Sequence, residues 1–390
     1  MSMQSFADLG VSSAVVSALA QRDITEPFAV QRLVIADVLA GRDVLAKSPT
    51  GSGKTLAFGI PLVDRLGANG PKQSALVLAP TRELACQISD EIRTIAHARA
   101  LAVATVYGGA GITRQAKLAR RAHVIVATPG RLEDLIARGD VRLDAVRVLV
   151  LDEADRMLDM GFRPVVDRIV AQTPRARQTL FFSATLDGEV GRLASAYTKQ
   201  PRHHEHQATP ERRRDIDHRF VAVEHTAKLE QLVDVLAADG VARALVFVRT
   251  KRGADRLVKR LRSHAVEAVG MHGDKSQAQR EKALARFQSG ACGVLVATDV
   301  AARGLDVDGI SHVVHFDAPA DRDSYVHRAG RTGRAGRSGS SITFVMADQA
   351  ADISRLAGEL ALHREFAMTG LGSHTSPGRR ARERRRGSRR

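Results

Sequence analysis

The sequence predicts an α/β protein with two tandem domains, each a mainly parallel β-sheet flanked by helices. Short apolar runs such as SALVLAP and VRVLVLDE recur along the chain and alternate with helix-like stretches. Each run ends in small or polar residues, which is typical of strands buried on both faces of a parallel sheet. The length of 390 residues and the hydrophobic content of 44% are sufficient for two apolar cores.

The apolar runs form two groups, separated by a polar stretch. The first group comprises DVLAKS, SALVLAP, HVIVATP, VRVLVLDE and QTLFFSAT, and the second comprises RALVFVRT, GVLVATDV, SHVVHFD and SITFVMA. Between them, KQPRHHEHQATPERRR contains two prolines and no apolar periodicity, which predicts a linker over residues 201–214. We therefore expect domains over 1–200 and 215–365, followed by an arginine-rich tail over 366–390.

The charge of the chain is strongly positive and unevenly distributed. Basic residues number 59 and acidic residues 43, and the formal net charge of +16 indicates a polyanionic partner such as nucleic acid. The last twelve residues, RRARERRRGSRR, hold eight arginines and one glutamate. We therefore expect a disordered basic tail on a body that is only mildly basic.

Cysteine usage and hydropathy indicate the cellular compartment. The two cysteines, Cys86 and Cys292, lie far apart and have neither metal-ligand nor CxxC spacing. The N-terminus lacks the apolar run of a signal peptide, and no apolar stretch approaches the length of a membrane span. We expect a cytoplasmic protein that has no association with a membrane.

A glycine-rich segment, SPTGSGKT, follows the first apolar run and precedes a helix-like stretch. Backbone N–H groups of such a loop surround phosphates at the N-terminus of a helix. Lys54 is predicted to contact the β- and γ-phosphates of a nucleotide, and Thr55 to bind Mg²⁺. The general motif has glycine where this chain has Ser48. The candidate ATP-binding residues of this P-loop are Ser48, Pro49, Thr50, Gly51, Ser52, Gly53, Lys54 and Thr55.

Two acidic residues, Asp152 and Glu153, directly follow the apolar run VLVL. Ligands of open parallel sheets bind beyond the carboxyl ends of the strands. Asp152 is therefore predicted to hold Mg²⁺ through water, and Glu153 to position or deprotonate the attacking water. The alternative is an acidic N-terminus of a helix. Because a P-loop precedes this segment, ATP hydrolysis is the favoured interpretation.

Further motifs follow one another along the chain. They are PTRELA, the pair Gly108 and Gly109, TPGR, DEADRMLDMGF, SAT, HGDKSQAQRE, ATDVAARGLD and HRAGRTGR. In this order and spacing they closely resemble the motifs of the DEAD-box ATP-dependent RNA helicases of superfamily 2, of the compact bacterial type. The resemblance covers about residues 5–345. It implies two RecA-like domains that close over one ATP and one RNA strand.

The resemblance also implies nucleotide contacts outside the P-loop. Gln31 resembles the glutamine that recognises the adenine edge, with Phe6 packed nearby. Ile24 stands where the family has an aromatic residue, and Asp23 where it has glycine, so Ile24 is expected to cover the base without ring stacking. In the second domain the corresponding ATP-binding candidates are Gly304 and Asp306.

The RNA contacts that the resemblance implies are loop N–H groups, hydroxyls and arginines facing phosphates and 2′-OH groups. Such contacts fix the position of a strand without recognising bases. For each arginine taken singly, a surface salt bridge is the alternative. The candidates are Pro80, Thr81, Arg82, Gly108, Gly109, Thr128, Pro129, Gly130 and Arg131 in the first domain, and Gln277, Arg280, Thr298 and Asp299 in the second.

The segment HRAGRTGRAGR carries an arginine at every third residue. By itself it is compatible with a disordered RNA-binding repeat. Because the strand-like SITFVMA follows and the second domain has no P-loop, we interpret it as an ordered loop and helix start. Arg331 and Arg334 match the family's arginines that reach across the cleft, so the resemblance implies that they are catalytic cations for the transferring γ-phosphoryl group. The resemblance further implies that Asp155, Ser183, Thr185 and His327 couple the nucleotide to domain closure.

Together these assignments predict an ATP hydrolase, namely an RNA helicase. We expect it to use ATP and Mg²⁺, to bind single-stranded RNA by its backbone, and to unwind short duplexes locally. An ATP-gated RNA clamp or ribonucleoprotein-remodelling scaffold with little processive unwinding is the alternative, and a DNA-directed motor is a third. Ribosomal precursors and RNA-decay proteins are candidate partners.

Overall fold

A computed structural model describes residues 4–48, 52–206, 216–238, 240–302, 307, 309–333 and 337–371. The chain divides into two compact units. Each unit contains one β-sheet in which all neighbouring strands pair in parallel, and helices flank both sheets. This arrangement confirms the predicted α/β fold class. Residues 372–390, which include the arginine-rich end of the predicted tail, lie outside the described residues.

The first unit contains a seven-stranded sheet in the order β3-β4-β2-β5-β6-β1-β7. Five of its strands coincide with predicted apolar runs, because strands covered on both faces are apolar along their whole length. The strands are β1 (Val44–Lys47), β2 (Ala75–Leu78), β3 (Val103–Val106), β4 (Val124–Ala127), β5 (Val148–Leu151), β6 (Gln178–Ser183) and β7 (Arg202–Glu205).

The two edge strands of this sheet, β3 and β7, have no continuous apolar run. In β3, buried and half-buried residues alternate. In β7 all four residues are polar, and the strand pairs in parallel with β1. An edge strand is held by backbone hydrogen bonds on one side and needs no apolar side chains. The predicted linker over 201–214 is therefore wrong for residues 202–205, which belong to the first sheet.

Helices cover both faces of the first sheet. They are α1 (Ser13–Ala20), α2 (Ala29–Leu39), α3 (Lys54–Arg65), α4 (Arg82–Ala96), α5 (Ile112–Ala119), α6 (Pro129–Ala137), α7 (Ala154–Asp159), α8 (Arg163–Ala171) and α9 (Gly188–Tyr197). Successive strand residues face opposite layers, so Val44 and Ala46 pack with α1–α4 whereas Leu45 packs with α5–α9.

The second unit contains a six-stranded sheet in the order β10-β11-β9-β12-β13-β8. Its strands are β8 (Ile216–Ala222), β9 (Ala244–Phe247), β10 (Ala268–Met271), β11 (Val294–Ala297), β12 (His312–His315) and β13 (Gly339–Val345). Its helices are α10 (Lys228–Ala237), α11 (Lys251–Ser263), α12 (Gln277–Gln288), α13 (Asp299–Ala302), α14 (Arg322–Ala329), α15 (Ala350–Glu359) and α16 (His363–Ala367). Within the described ranges, no helix combines the length and apolarity needed to cross a membrane.

The C-terminal helix α16 belongs to the core of the second unit. Phe366 is 4% exposed and its ring meets that of Phe220 edge-on at 5.7 Å. The predicted start of the tail at residue 366 is therefore too early. This helix is hard to predict from sequence, because α16 has only five residues and contributes one buried aromatic ring.

Candidate nucleotide and RNA sites

The carboxyl edge of the first sheet holds two groups of predicted site residues in separate halves. The predicted RNA-binding residues follow β2, β3 and β4, which are neighbours in the sheet. The predicted phosphate-binding, catalytic and coupling residues follow β1, β5 and β6, which are neighbours in the other half. Because parallel strands end at the same edge, the fold gathers residues that are distant in sequence without mixing the two groups.

The described part of the P-loop joins β1 to α3. Gly53 has a φ of +88°, a left-handed conformation that glycine adopts readily. Lys54 begins α3, is 7% exposed, and donates from Nζ to the carbonyl oxygen of Ser48 at 3.1 Å. The hydroxyls of Ser48 and Ser52 are 2.6 Å apart. Thr55 lies in the first turn of the helix. Pro49, Thr50 and Gly51 lie outside the described residues.

Asp152 and Glu153 form the turn between β5 and α7. Asp152 is 2% exposed, and burial raises its pKa to about 6 against the attraction of Lys54. Glu153 has a φ of +51°, which is uncommon for a residue other than glycine. Its N–H donates to Asp152 Oδ1 at 3.0 Å, and its Oε2 lies 3.3 Å from Nη1 of the buried Arg156. Backbone strain of this kind is concentrated at functional sites.

The end of β6 connects the P-loop to the acidic turn. The carbonyl oxygen of Ser183 accepts from the N–H of Ser48 at 2.9 Å. The Oδ2 of Asp155 accepts from the N–H of Ala184 at 3.1 Å. Asp155 is therefore bound by the backbone of Ala184, and the Oγ of Ser183 is buried with no hydrogen-bond partner among the described residues. Thr185 is half-buried at the same strand end.

Gln31 joins the start of α2 to the P-loop. It is 1% exposed, and its Oε1 accepts from the N–H of Phe28 at 2.8 Å. Its Nε2 donates to the carbonyl oxygen of Gly53 at 3.1 Å. The side chain predicted to recognise adenine is thus fixed beside the phosphate-binding loop, with both amide atoms bonded.

The turn before α2 places the other predicted base contacts against the core. Asp23 has a φ of +58°, a left-handed conformation that aspartate tolerates better than most residues. The N–H of Ile24 then donates to the carbonyl oxygen of Leu19 at 3.1 Å. Ile24 is half-buried against the apolar core, and Phe6 lies inside that core at 1% exposure.

Phe28 is a residue of this region that the sequence did not indicate. Its side chain is 58% exposed and lies over the P-loop, since a Cβ atom at Gly53 would be 2.7 Å from Phe28 Cδ2. A single aromatic residue in a loop has no periodicity by which it could be recognised. The structure therefore places an exposed aromatic ring against the P-loop, next to Gln31.

Arg82 lies over the glycine pair of the neighbouring loop. It begins α4 after Pro80 and Thr81, and the Oγ1 of Thr81 accepts from the N–H of Leu84 at 3.3 Å. A Cβ atom at Gly109, where φ is +86°, would collide with the guanidinium of Arg82. A Cβ at Gly108 would be 3.5 Å from Nη2 of the same arginine. The glycine pair thus leaves room for a cation at the carboxyl edge.

Arg131 and Gln115 fix the shape of this loop. Strand β4 leads into α6 through Thr128, and Pro129 and Gly130 begin the helix. Arg131 Nη1 donates to the carbonyl oxygen of Ala110 at 2.9 Å and to Gln115 Oε1 at 3.3 Å. Gln115, which sequence reasoning missed, is 6% exposed and its Nε2 donates to the carbonyl oxygen of Tyr107 at 3.0 Å. A glutamine on the buried face of α5 was the available signal.

The RNA-binding residues predicted for the second domain follow two neighbouring strands of the second sheet. Gln277 and Arg280 are in the first turn of α12, which follows β10. Thr298 and Asp299 follow β11, which pairs with β10. The structure therefore brings together two motifs that are about twenty residues apart in the sequence.

Arg328 holds Asp299 and was not identified from the sequence. Its Nε and Nη2 donate to the two carboxylate oxygens of Asp299 at 2.6 and 2.7 Å. Its Nη1 donates to the carbonyl oxygen of Asp317 at 2.7 Å. The side chain is only 5% exposed. In a repeat with an arginine at every third residue, nothing in the sequence distinguished this arginine from the others.

The described part of the arginine-rich segment ends a helix and forms a turn. His327 lies in the last turn of α14, and its carbonyl oxygen accepts from Nε of the buried Arg331 at 3.3 Å. Thr332 Oγ1 donates to the carbonyl oxygen of Ile310. The described residues 330–333 thus form the predicted ordered loop, in which Gly333 has a φ of +65°, and a helix start within 334–336 would lie outside the described residues. Arg334, Gly304 and Asp306 lie outside the described residues.

Comparison with known proteins identifies the family. The sequence profile of the DEAD/DEAH box helicases matches residues 28–193, and that of the helicase conserved C-terminal domain matches residues 227–336. The chain is 43% identical over 344 residues to the DEAD-box ATP-dependent RNA helicase CshA of Geobacillus kaustophilus, covering 88% of this chain and 74% of that protein. It belongs to the DEAD-box ATP-dependent RNA helicases. The CshA of Bacillus subtilis is 42% identical to this helicase over 341 residues, or 87% and 69% of the two chains.

Solved structures agree with this membership. The Dbp5 helicase of S. cerevisiae, bound to RNA and ADP BeF3, superposes on this helicase with a TM-score of 0.82 at 28% identity, over 91% of this chain and 94% of that one. Mss116p bound to ssRNA and AMP-PNP gives a TM-score of 0.82 at 28% identity, over 92% and 78%. The predicted family, enzyme class and pair of RecA-like domains are thereby confirmed.

Proposed function

We propose that this DEAD-box helicase binds single-stranded RNA by its backbone and separates short duplexes locally, in a cycle coupled to ATP hydrolysis. The observation that carries the proposal is the divided carboxyl edge of the first sheet. Loops after β2, β3 and β4 hold the RNA candidates, and loops after β1, β5 and β6 hold the phosphate-binding and catalytic candidates. One rigid sheet therefore carries both, and Dbp5 and Mss116p were solved with RNA and a nucleotide analogue together.

The half of the carboxyl edge formed by the loops after β1, β5 and β6 has side chains suited to binding ATP and Mg²⁺. Thr55 and Asp152 would hold the ion, because hydroxyl and carboxylate oxygens are its preferred protein ligands. The buried carboxyl of Asp152 fits a cation, since its ionised form is disfavoured by burial and has Lys54 as its stabilising charge. Bound Mg²⁺ supplies charge neutralisation at the β- and γ-phosphates. Lys54 contacts these phosphates from the start of α3.

Glu153 is the residue that we assign to the attacking water. Its left-handed backbone places it at the strand-to-helix turn, and Arg156 lies beside its Oε2 at 3.3 Å. A carboxylate at this position can accept a proton from a water or orient it for attack. Arg331 and Arg334 of the second unit are assigned to the charge that develops on the γ-phosphoryl group.

The half of the carboxyl edge formed by the loops after β2, β3 and β4 has groups that can contact the backbone of an RNA strand. Arg82 provides a cation above the glycine pair, where a larger residue would displace it. Arg131 is bonded to Ala110 and Gln115, so we assign it to shaping the loop around the strand. In the second unit, Arg328 fixes the orientation of Asp299 through hydrogen bonds to its carboxylate. Such contacts recognise phosphate and 2′-OH groups and do not distinguish one base from another.

A strand-displacement assay tests this function. We expect the full chain with ATP to separate short RNA duplexes, blunt or tailed, and the Glu153→Gln variant to fail while it still binds RNA. RNA-stimulated ATP hydrolysis without strand displacement would favour the RNA clamp instead. Equal stimulation by DNA of the same sequence would contradict a preference for RNA, because DNA lacks the 2′-OH.

A further inference from the structure

A basic cavity of about 820 Å³ opens beside α5 in the first unit. Its lining includes five cations and one carboxylate: Arg114, Lys117, Arg120, Arg121, Arg138 and Asp140. Asp140 is 6% exposed and pairs with Arg138 at 2.9 Å and with Arg120. Two of the five cations thus share one carboxylate, and the cavity retains an excess of positive charge.

The three remaining cations lie on one side of α5 and its C-terminal turn. Arg114, Lys117 and Arg121 occupy positions i, i+3 and i+7, which span ~10 Å along a helix. All three are exposed, and none forms an ion pair with a residue that the structure describes. We call these three side chains the basic stripe. On the opposite side of the helix, Ala116 and Ala119 are buried in the core and fix its orientation.

The basic stripe begins next to the loop that we assign to RNA. Helix α5 starts at Ile112, three residues after Gly109. Gln115 binds Tyr107 through both of its amide atoms, so the loop and the helix are joined rigidly. Because β3 ends at the carboxyl edge of the sheet and β4 starts at the opposite edge, α5 runs from one edge to the other alongside them. The stripe therefore leads away from the glycine pair.

We propose that the basic stripe binds phosphates of RNA that extends beyond the segment held at the carboxyl edge of the first sheet. This inference rests on the proposed RNA-binding function of the loop containing Gly108 and Gly109. Arginine and lysine side chains bind phosphates through counterion release without recognising bases. RNA is favoured over an acidic protein because the stripe starts beside the loop that we assign to RNA and is joined to it through Gln115.

The test compares RNA probes of two lengths on the full chain. Binding of RNA to the variant R114Q/K117Q/R121Q is measured by fluorescence anisotropy in the presence of a nonhydrolysable ATP analogue. One probe is a short single strand that reaches only the residues at the carboxyl edge of the first sheet, and the other is the same strand extended at both ends. The slope of the logarithm of the binding constant against the logarithm of the salt concentration changes by roughly 0.7 for each phosphate contact to a single strand. Loss of three contacts should therefore reduce this slope for the long RNA by ~2. This corresponds to an affinity loss of tens of fold at physiological salt. The short RNA should bind as before.

A matched control removes the same charge elsewhere in the first unit. Arg42, Arg142 and Arg175 are exposed residues near the starts of β1, β5 and β6, and the variant R42Q/R142Q/R175Q should leave the slope for long RNA unchanged. An equal loss in both variants would overturn the inference by showing a general effect of net charge. An unchanged slope in the stripe variant would also overturn it, and would leave an acidic protein as the partner of this surface. Failure of the wild type to bind either RNA would instead refute the proposed function.

Discussion

The bond between Arg328 and Asp299 provides a quantitative test of how the second unit positions its RNA residues. Arg328→Met keeps most of the side-chain volume but removes two charge-assisted hydrogen bonds to Asp299 and one to the carbonyl oxygen of Asp317. Removing one partner of a buried ion pair costs ~3–5 kcal/mol. Because the Asp299 side chain is 32% exposed, water recovers part of this cost. We expect a loss of about 3 kcal/mol.

The assay is urea unfolding of the full chain followed by circular dichroism, with hydrogen exchange to localise the effect. A loss of about 3 kcal/mol increases the opening constant of peptides in β11 and α13 by on the order of 100-fold. Arg322→Met is the matched control, because Arg322 is on the same helix, is 52% exposed and pairs with Asp323 at 3.6 Å. An exposed pair of this kind contributes ~0–1 kcal/mol. Equal effects of the two substitutions would refute the reasoning.

Other predictions concern the nucleotide site. Lys54→Ala should abolish ATP binding, whereas Glu153→Gln should retain ATP and RNA but stop turnover, as measured by nucleotide titration and steady-state ATPase assays. In the absence of Mg²⁺, Asp152→Asn should raise the free energy of unfolding by ~3 kcal/mol at pH 7.5 and by about half of that at pH 5. The reason is that burial raises the pKa of this carboxyl to about 6 from 3.8, so the cost of ionising it disappears as the pH falls. Arg331→Ala should lower ATP turnover at saturating RNA by ~10³-fold or more. Phe28→Ala should weaken ATP binding more than binding of inorganic triphosphate, since the exposed ring neighbours Gln31, which we assign to the adenine edge.

Each of these predictions has an outcome that contradicts it. Equal loss of nucleotide affinity in the Lys54 and Glu153 variants would remove the distinction between phosphate contact and water activation. A gain for Asp152→Asn that does not change with pH would show that the carboxylate carries no burial cost. Near-normal turnover of Arg331→Ala would return the arginine repeat to simple RNA binding. An equal effect of Phe28→Ala on ATP and triphosphate would exclude a base contact.

The sequence predicted the elements that are marked by apolar runs or by chemistry-bearing motifs. Strands β1, β2, β4, β5 and β6 follow from continuous apolar runs, because both of their faces are buried. The edge strand β7 could not be predicted, since its stability comes from pairing with β1 and all of its side chains are polar. Strand order was also hidden, so the separation of RNA and nucleotide residues into two halves became visible only in the fold.

Within the candidate sites, residues that support a motif were harder to predict than the motif itself. Gln115 and Arg328 act through hydrogen bonds to groups that are adjacent only after folding. Phe28 is separated from Gly53 by two dozen residues, yet their contact depends on how α2 packs beside the P-loop. A motif specifies which side chains do chemistry, whereas the side chains that hold them in place depend on tertiary geometry.

The polar edge strand β7 determines where the first unit can be cut from the rest of the chain. It pairs with the strand that carries the P-loop, and the ladder continues to the bond from the N–H of His206 to the carbonyl oxygen of Lys47 at 2.8 Å. A fragment ending at residue 200 would leave this side of β1 as a bare edge, open to pairing with other chains. A fragment ending after His206 keeps the edge covered by a strand rich in charge and histidine. Dissection of the two units should therefore divide the chain beyond that residue.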